Sequence, residues 1–311
     1  MIDNALFSLP HPPSPAAPGR TTQTAPSRPT PPAASPPAPS AQGARSPSIP
    51  DLPSPVVRLL ALADQFTQHN DQLARLQPAY GATWGHTSAQ VLVSACLEAV
   101  QAIVDQPMYA GVTLTEATVR IRHLTVLTGQ AVRHLAEAKA QLVEPTSPSD
   151  MPSRGGEVAH QIQLARELTI LAPAAALESA SAVASEIHRR RPATTTTGTD
   201  ALTLAERTAL YATARGHVVV GRREGRDYVH SRGSSVHLDT LRTLEHAGLV
   251  AVQPGSAPPA FGEGPPHDRV RLTPSGAMAV TAFLGRSTRT PAPPAPGTIP
   301  AQTSVAPARA R

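Results

Sequence analysis

The segment that decides the fold of the C-terminal part of the chain reads SSVHLDTLRTLEHAGLVAVQ at residues 234–253. After a loop rich in proline and glycine, it continues as DRVRLTPSG at residues 268–276. The first part predicts a short amphipathic helix that ends at Gly248, because glycine readily adopts the left-handed conformation that closes a helix. The apolar run Leu249–Val252 and the segment Arg269–Leu272 predict two strands, and the Thr-Pro dipeptide after them predicts the start of another helix.

The residues before this segment predict a helix and a β-hairpin. Thr203 and Glu206 have the spacing of a capping box, and the helix that they open is expected to end near Arg215. Two apolar runs, at 217–220 and 227–230, flank the turn sequence GRREGR, which is typical of a hairpin. Ser234 or Ser235 is expected to cap the following helix. The inward positions of that helix would be Val236, Leu241, Leu244 and Ala247.

LRTLEHAGLV at 241–250, followed by RVRLTPSG at 269–276, resembles the end of the winged helix-turn-helix domain of many bacterial regulators. In that family a recognition helix leads into a β-hairpin wing, and an LT..G sequence opens a closing helix. The resemblance covers roughly residues 202–285 and implies a small α+β domain that binds DNA. Two features depart from the family: a β-hairpin replaces the usual second helix, and the wing loop 253–268 carries acidic residues but no arginine.

Positive charge is concentrated on the predicted hairpin rather than on the wing. Five arginines between residues 215 and 232 outnumber Glu224 and Asp227. Because phosphate contacts supply most non-specific affinity for DNA, the hairpin is the best electrostatic candidate. A solvated turn in an arginine-biased protein explains the same residues equally well. The candidate DNA-contacting residues are Arg215, Arg222, Arg223, Arg226, Arg232, Ser235, His237, Thr240 and Arg242.

Residues 55–190 predict a bundle of the four-helix type. Helices are expected to start near Pro55 and to cover about 87–105, 113–144 and 157–190. Trp84 is placed in the turn before the second helix, and Pro173 is expected to kink or split the fourth. The third would open with a capping box of Thr113 and Glu116. Its apolar face, which follows a 3-4 spacing, would be widened by Val119, Val126, Val132 and Val143.

Polar residues in the bundle leave alternatives open. Asn70 lies on the heptad face of the first helix, either as a buried residue that fixes register or as a polar position near a frayed end. The run Arg189–Arg191 is explained by the preference for cations at a helix C-terminus, or it forms a phosphate-contacting arm. Cys96 lies in an apolar setting without a neighbouring basic group, which predicts a core residue rather than a nucleophile.

Composition divides the chain into five segments. Sixteen of the 35 prolines lie in the first 55 residues, and the end of the chain is again rich in Pro, Thr, Ala and Arg. We therefore expect disordered tails at 1–54 and 287–311, a linker at 191–200, and two folded domains at 55–190 and 201–286. Lys139 is the only lysine, and this bias indicates a high-GC bacterial coding background.

Several classes of protein are not indicated. A single cysteine excludes an internal disulfide. The N-terminus has no signal-peptide pattern, and no window approaches the run of about 20 apolar residues that spans a bilayer. No Cys/His set has zinc spacing, GRREGR lacks the G-K-[ST] of a phosphate loop, and His267 has no neighbouring nucleophile. We expect a mainly α, cytoplasmic protein without membrane association, cofactor, metal or enzymatic activity.

The expected function is that of a non-enzymatic DNA-binding protein, either a bacterial transcriptional regulator or a mobile-element accessory protein. Its partner would be double-stranded DNA, and the helical bundle would mediate self-association. A net charge of +5 and a pI near 10.1 permit this partner. The alternative is an adaptor whose bundle and winged module bind proteins, which the neutral recognition helix, the acidic wing loop and the proline-rich tails favour.

Overall fold

The computed structural model describes residues 54–106, 111–143, 151–190, 202–259 and 264–284. The predictions of disordered tails and of a linker at 191–200 concern segments outside these ranges, apart from Ser54. The described part is mainly helical and carries a small four-stranded antiparallel sheet, which confirms the mainly α class.

The elements follow the chain in two groups. The first group contains α1 Pro55–Arg75, α2 Pro78–Val104, α3 Val112–Val143, α4 Met151–Thr169 and α5 Ala172–Arg190. The second contains α6 Leu204–Ala214, β1 Val218–Arg223, β2 Arg226–Ser231, α7 Leu238–His246, β3 Val250–Ala257, β4 His267–Leu272 and α8 Pro274–Leu284. The strand order is β2-β1-β4-β3.

The heptad spacing of α1 and α3 correctly predicts their buried faces. On α1 the side chains of Val56, Leu59, Ala63, Phe66 and Leu73 are buried. On α3 the buried face runs from Leu114 to Ala138. The prediction that valines widen this face is wrong for Val119, Val126 and Val143, which are 59, 58 and 78 % exposed, but Val132 is partly buried and packs against the core. Val119 and Val126 each lie two positions from a buried residue, which at about 3.6 residues per turn places them on the opposite side.

The predicted first residues of several helices differ from those in the structure. α2 begins at Pro78 and contains Trp84, which was expected in a turn. Gly85, next to Trp84, is a close-packing position within the helix: a Cβ there would lie 2.7 Å from Cδ2 of Leu73. Trp84 stacks on buried His69, with ring centroids 5.8 Å apart.

Two other starts also differ. α3 begins at Val112, so the expected capping box of Thr113 and Glu116 lies within the helix, and α4 begins at Met151 rather than near residue 157. The break expected at Pro173 is confirmed between α4 and α5. The capping box at Thr203 and Glu206 is also confirmed, with both of its hydrogen bonds present.

The structure shows the contacts of two bundle residues whose roles the sequence left open. The Asn70 side chain donates to the carbonyl oxygen of Thr169 at 3.0 Å and accepts from its hydroxyl at 2.7 Å. Asn70 therefore joins α1 to the C-terminus of α4, a role that neither interpretation foresaw. Cys96 is buried, and burial raises the pKa of its thiol to about 12, which confirms its role in the core.

One hydrophobic core joins the two groups of elements. It contains residues of α1, α2, α3 and α5 together with residues of α6, α7, α8 and the sheet. Phe66 of α1, Leu177 of α5, Leu210 of α6 and Leu244 of α7 are among its fully buried members. The described residues of both predicted domains, 55–190 and 201–286, therefore share apolar surface.

The expectation that no segment is long and apolar enough for a bilayer is wrong. Pro78–Val104 and Ser153–Arg190 each contain an 18-residue window with a mean hydropathy of 1.4. Core helices of soluble proteins meet the same criterion, and half of the second window is buried.

Candidate nucleic-acid interface

The β1–β2 hairpin is confirmed, but its turn is shorter than expected. Glu224 and Gly225 form the turn with φ of 53° and 76°. Positive φ at both central residues matches a type I′ turn, whose twist suits the twist of the flanking strands. Arg222, Arg223 and Arg226, which were expected in a six-residue turn, are therefore strand residues.

The tip of this hairpin extends past the rest of the sheet. β4 pairs with β1 only at Val219 and Val220, so the hairpin beyond Gly221 is a two-stranded ribbon. A Cβ on Gly221 would lie 2.5 Å from the ring of Tyr228, which explains the glycine. The Tyr228 hydroxyl lies 2.8 Å from Nε2 of His267 on β4. This contact joins β2 to β4 where the two-stranded ribbon begins.

Asp227 contacts two arginines near the tip and offsets part of their charge. Nε of Arg222 donates to its Oδ1 at 2.9 Å, and Nη2 of Arg242 on α7 lies 3.7 Å from its Oδ2. Asp227 thus connects the ribbon to α7. Both arginines remain largely exposed, so these contacts are weak in water.

Arg223 and Arg226 are opposed across the ribbon. They are direct partners in the β1–β2 register, and both are exposed. Like charges directly opposite each other on neighbouring strands are destabilising. The only carboxylate near Arg223 among the described residues is that of exposed Glu224, 3.7 Å from Nε. An anion at the tip would relieve this repulsion.

α7, the expected recognition helix, differs from the prediction at both ends. It begins at Leu238 with His237 at the N-cap position and without a side-chain cap, so the expected cap by Ser234 or Ser235 is wrong. The Ser234 hydroxyl lies 3.2 Å from that of Ser231 instead. At the other end Ala247 is exposed rather than inward.

The burial of α7 is predicted correctly at its centre. Leu241 and Leu244 are buried, and Gly248 ends the helix with a φ of 68°. The candidate residues Ser235, His237 and Arg242 are exposed, and Thr240 is half-buried. The exposed charged residues of the helix are Asp239, Arg242 and Glu245, which gives its outer surface a slight negative charge.

Arg215 and Arg232 lie apart from the other candidates, at the base of the hairpin. The backbone N–H of Arg232 donates to the carbonyl of His217 at 3.3 Å, opposite the strand ends. Five residue steps of strand separate Val218 from Arg223, which is about 17 Å. The structure therefore divides the predicted set into a group at the tip and a pair at the base.

The expected wing, β3–β4, is packed against α1. Arg269 binds Asp71 through two hydrogen bonds of 2.7 and 2.6 Å, and Arg271 binds Asp64 through Nε at 2.8 Å. Arg75 donates to the carbonyl of Gly255. Burial raises the pKa of Asp71, and the hydrogen bonds from Arg269 oppose this effect.

Sequence reasoning missed these pairs, although their spacing carries a signal. Asp64 and Asp71 lie seven residues apart and so share a helix face, while Arg269 and Arg271 lie two residues apart and share a strand face. Matching the two patterns would have required knowing that α1 and β4 meet.

The arginine run at the end of α5 is partly neutralised. Arg189 donates to both oxygens of Glu186, at 2.9 and 2.7 Å, and Arg190 also contacts this carboxylate. The hydrogen bond from Arg189, followed by that from Arg190, lowers the pKa of Glu186 to about 2 against the opposing effect of burial. The third arginine of the run, Arg191, lies outside the described residues.

Within the described ranges, no group of three or more His, Cys, Asp or Glu side chains could bind a metal ion. Comparisons with protein-family models, with curated proteins and with solved structures found no match to this chain. The arrangement of the hairpin suits electrostatic contact with an anionic polymer.

Proposed function

We propose that the protein is a non-enzymatic, cytoplasmic DNA-binding protein, either a bacterial transcriptional regulator or a mobile-element accessory protein. It contacts duplex DNA with the tip of the β1–β2 hairpin. The observation that carries the proposal is the opposed pair Arg223 and Arg226 at the end of a ribbon that projects past β4. A two-stranded β-ribbon fits the major groove of B-DNA, and arginine binds its phosphates.

The topology of the second group of elements supports a winged-helix-like arrangement. β1 pairs with β4, the second strand of the β3–β4 hairpin, and α7 precedes that hairpin. Thr273 and Gly276 explain the LTPSG sequence: the Thr273 hydroxyl accepts from the N–H of Gly276 at 3.0 Å. A Cβ on Gly276 would overlap the carbonyl oxygen of Leu249.

The wing does not supply the phosphate contacts in this proposal. The side chains of Arg269 and Arg271 are bound to Asp71 and Asp64 of α1. Both guanidinium groups are therefore already paired with carboxylates of the bundle. The hairpin tip replaces the wing as the phosphate-contacting element, with α7 beside it through the contact of Arg242 with Asp227.

Arg223→Ala/Arg226→Ala in the full-length chain tests the proposal. The readout is fluorescence anisotropy of a labelled random-sequence duplex, measured over a range of NaCl concentrations. Loss of two phosphate contacts should weaken binding and reduce the slope of log K against log[salt] by about 1.8. Arg222→Ala/Arg242→Ala should have a smaller effect, because Asp227 already neutralises part of this charge.

The matched control is Arg58→Ala/Lys139→Ala, which removes the same charge from the helical bundle, away from the hairpin and from the outer valines of α3. This control should leave the salt slope unchanged. Equal weakening by the tip and control pairs would show only a general effect of net charge. Absence of duplex binding at low salt would contradict DNA binding, and co-purification of a stoichiometric protein partner without nucleic acid would favour an adaptor.

We further propose that the chain self-associates through the bundle. Val112, Val119 and Val126 repeat at seven-residue spacing on the outer side of α3 and are 76, 59 and 58 % exposed. Apolar side chains at heptad spacing are the pattern by which one helix packs on another. Light scattering should give a mass above the 32.4 kDa of the monomer.

Val119→Glu/Val126→Glu should reduce the scattering mass to that of the monomer. Val143→Glu, at an exposed valine off this repeat, is the control and should not change it. A monomeric native chain would contradict self-association.

A further inference from the structure

A basic cleft lies between the helices and the sheet, at the base of the β1–β2 hairpin. It has a volume of about 530 Å³ and is bounded by α1, the junction of α4 and α5, the segment 215–217, and strands β1, β2 and β4. Small-molecule sites in proteins commonly have volumes of about 300–1,000 Å³. The cleft therefore has the size of a ligand site.

Guanidinium groups outnumber carboxylates in this cleft. Four arginines line it, and Asp71 is the only acidic residue among the described lining residues. Asp71 is already bound by Arg269 through two hydrogen bonds. The remaining three, Arg166, Arg215 and Arg232, make no ion pair among the described residues.

Arg166 has unused hydrogen-bonding capacity. Its Nε is buried and has no hydrogen-bond partner among the described residues. Arg166 extends from the last turn of α4 and lines the cleft, and its charge acts on Asp71.

The field in the cleft is positive. Burial lowers the pKa of His217, and the charges of Arg215, Arg232 and Arg269 lower it further, while the hydrogen bond to the carbonyl of Arg232 opposes these effects. Three arginines thus act on one imidazole at the cleft wall. An anion would offset their mutual repulsion, which is stronger here than in bulk water.

One wall of the cleft is apolar. Ile170 and Leu171, between α4 and α5, are 47 and 75 % exposed, and Pro173 lies beside them. These side chains offer a surface to the organic part of a ligand, next to the guanidinium groups.

We propose that this cleft binds an organic phosphate monoester, with the phosphate between Arg166, Arg215 and Arg232 and the organic group against Ile170 and Leu171. A phosphate monoester carries about −1.5 to −2 charges and three terminal oxygens, which suits three guanidinium groups. A carboxylate carries one charge and two oxygens and leaves more of the positive charge unmatched. The site lies about 17 Å from the hairpin tip along the strands and does not depend on DNA binding.

Isothermal titration calorimetry on the full-length chain tests this site with phenyl phosphate, inorganic phosphate and benzoate at constant ionic strength. Phenyl phosphate should bind most tightly. Arg215→Gln/Arg232→Gln should weaken phenyl phosphate by about tenfold or more, because two charged hydrogen-bond donors are lost. Arg223→Gln/Arg226→Gln removes the same charge at the hairpin tip and should leave phenyl phosphate binding unchanged.

Leu171→Ser separates the two parts of the site. This substitution should weaken the binding of phenyl phosphate but not that of inorganic phosphate, since only phenyl phosphate has an apolar group. Circular dichroism confirms that each variant is folded. The proposal is overturned if millimolar phenyl phosphate gives no heat of binding, if benzoate binds equally well, or if the cleft and tip variants lose equal affinity. Anisotropy with duplex DNA on the same variants reports the hairpin separately, so either proposal can fail alone.

Discussion

Asp64 and Asp71 lie on one face of α1 and bind two arginines of the same strand, but they differ in burial. The side chains of Asp71 and Arg269 are 9 and 11 % exposed, whereas those of Asp64 and Arg271 are 29 and 27 % exposed. Removing one partner of a buried pair leaves an uncompensated charge in a poorly solvated site. The same change in a more exposed pair leaves a charge that water can solvate.

We therefore expect Asp71→Asn to destabilise the full-length chain by about 3–5 kcal/mol. Asp64→Asn should cost about 0–1 kcal/mol. The measurement is urea unfolding followed by circular dichroism. The two variants are matched in helix, chemical change and type of partner, so the difference between them isolates burial. Equal destabilisation would show that the two pairs do not differ in solvation as the structure indicates.

At the scale of the element, the sequence predicts those features that depend on near neighbours. The 3-4 spacing on α1 and α3 identifies their buried faces, and the capping box at Thr203 identifies the start of α6. Gly225 within an arginine-rich turn identifies the hairpin. In each case the interacting residues lie within a few positions of one another.

Features that depend on distant residues could not be predicted in this way. The arginines expected at the hairpin divide into two groups only because the turn is two residues long, which extends both strands to the tip. Gly85 resembles a turn signal, but its role is to admit the side chain of Leu73 from α1. The Arg269–Asp71 pair spans 198 residues of chain, and no local pattern indicates that α1 packs against the β3–β4 hairpin.

At the scale of the whole molecule, the sheet and the helices depend on each other for burial. α6, α7 and α8 share their hydrophobic core with α1 and α5, and two ion pairs cross the same boundary. The segment 201–286 alone would expose part of this core and leave Arg269 without its partner. In this respect the chain differs from two independent domains that are joined by a linker.

We therefore expect the isolated fragment 201–286 to lack a cooperative unfolding transition. Loss of the apolar surface supplied by α1 and α5 should leave it with secondary structure but without fixed packing, with weak near-ultraviolet circular dichroism and strong binding of a hydrophobic dye. The control is the full-length chain with a protease site engineered into the segment 191–200. After cleavage, its two parts should co-purify and unfold in one transition, because the shared core is intact. A sharp urea transition of the fragment alone would contradict the prediction. It would mean that the core residues within 201–286 suffice for folding.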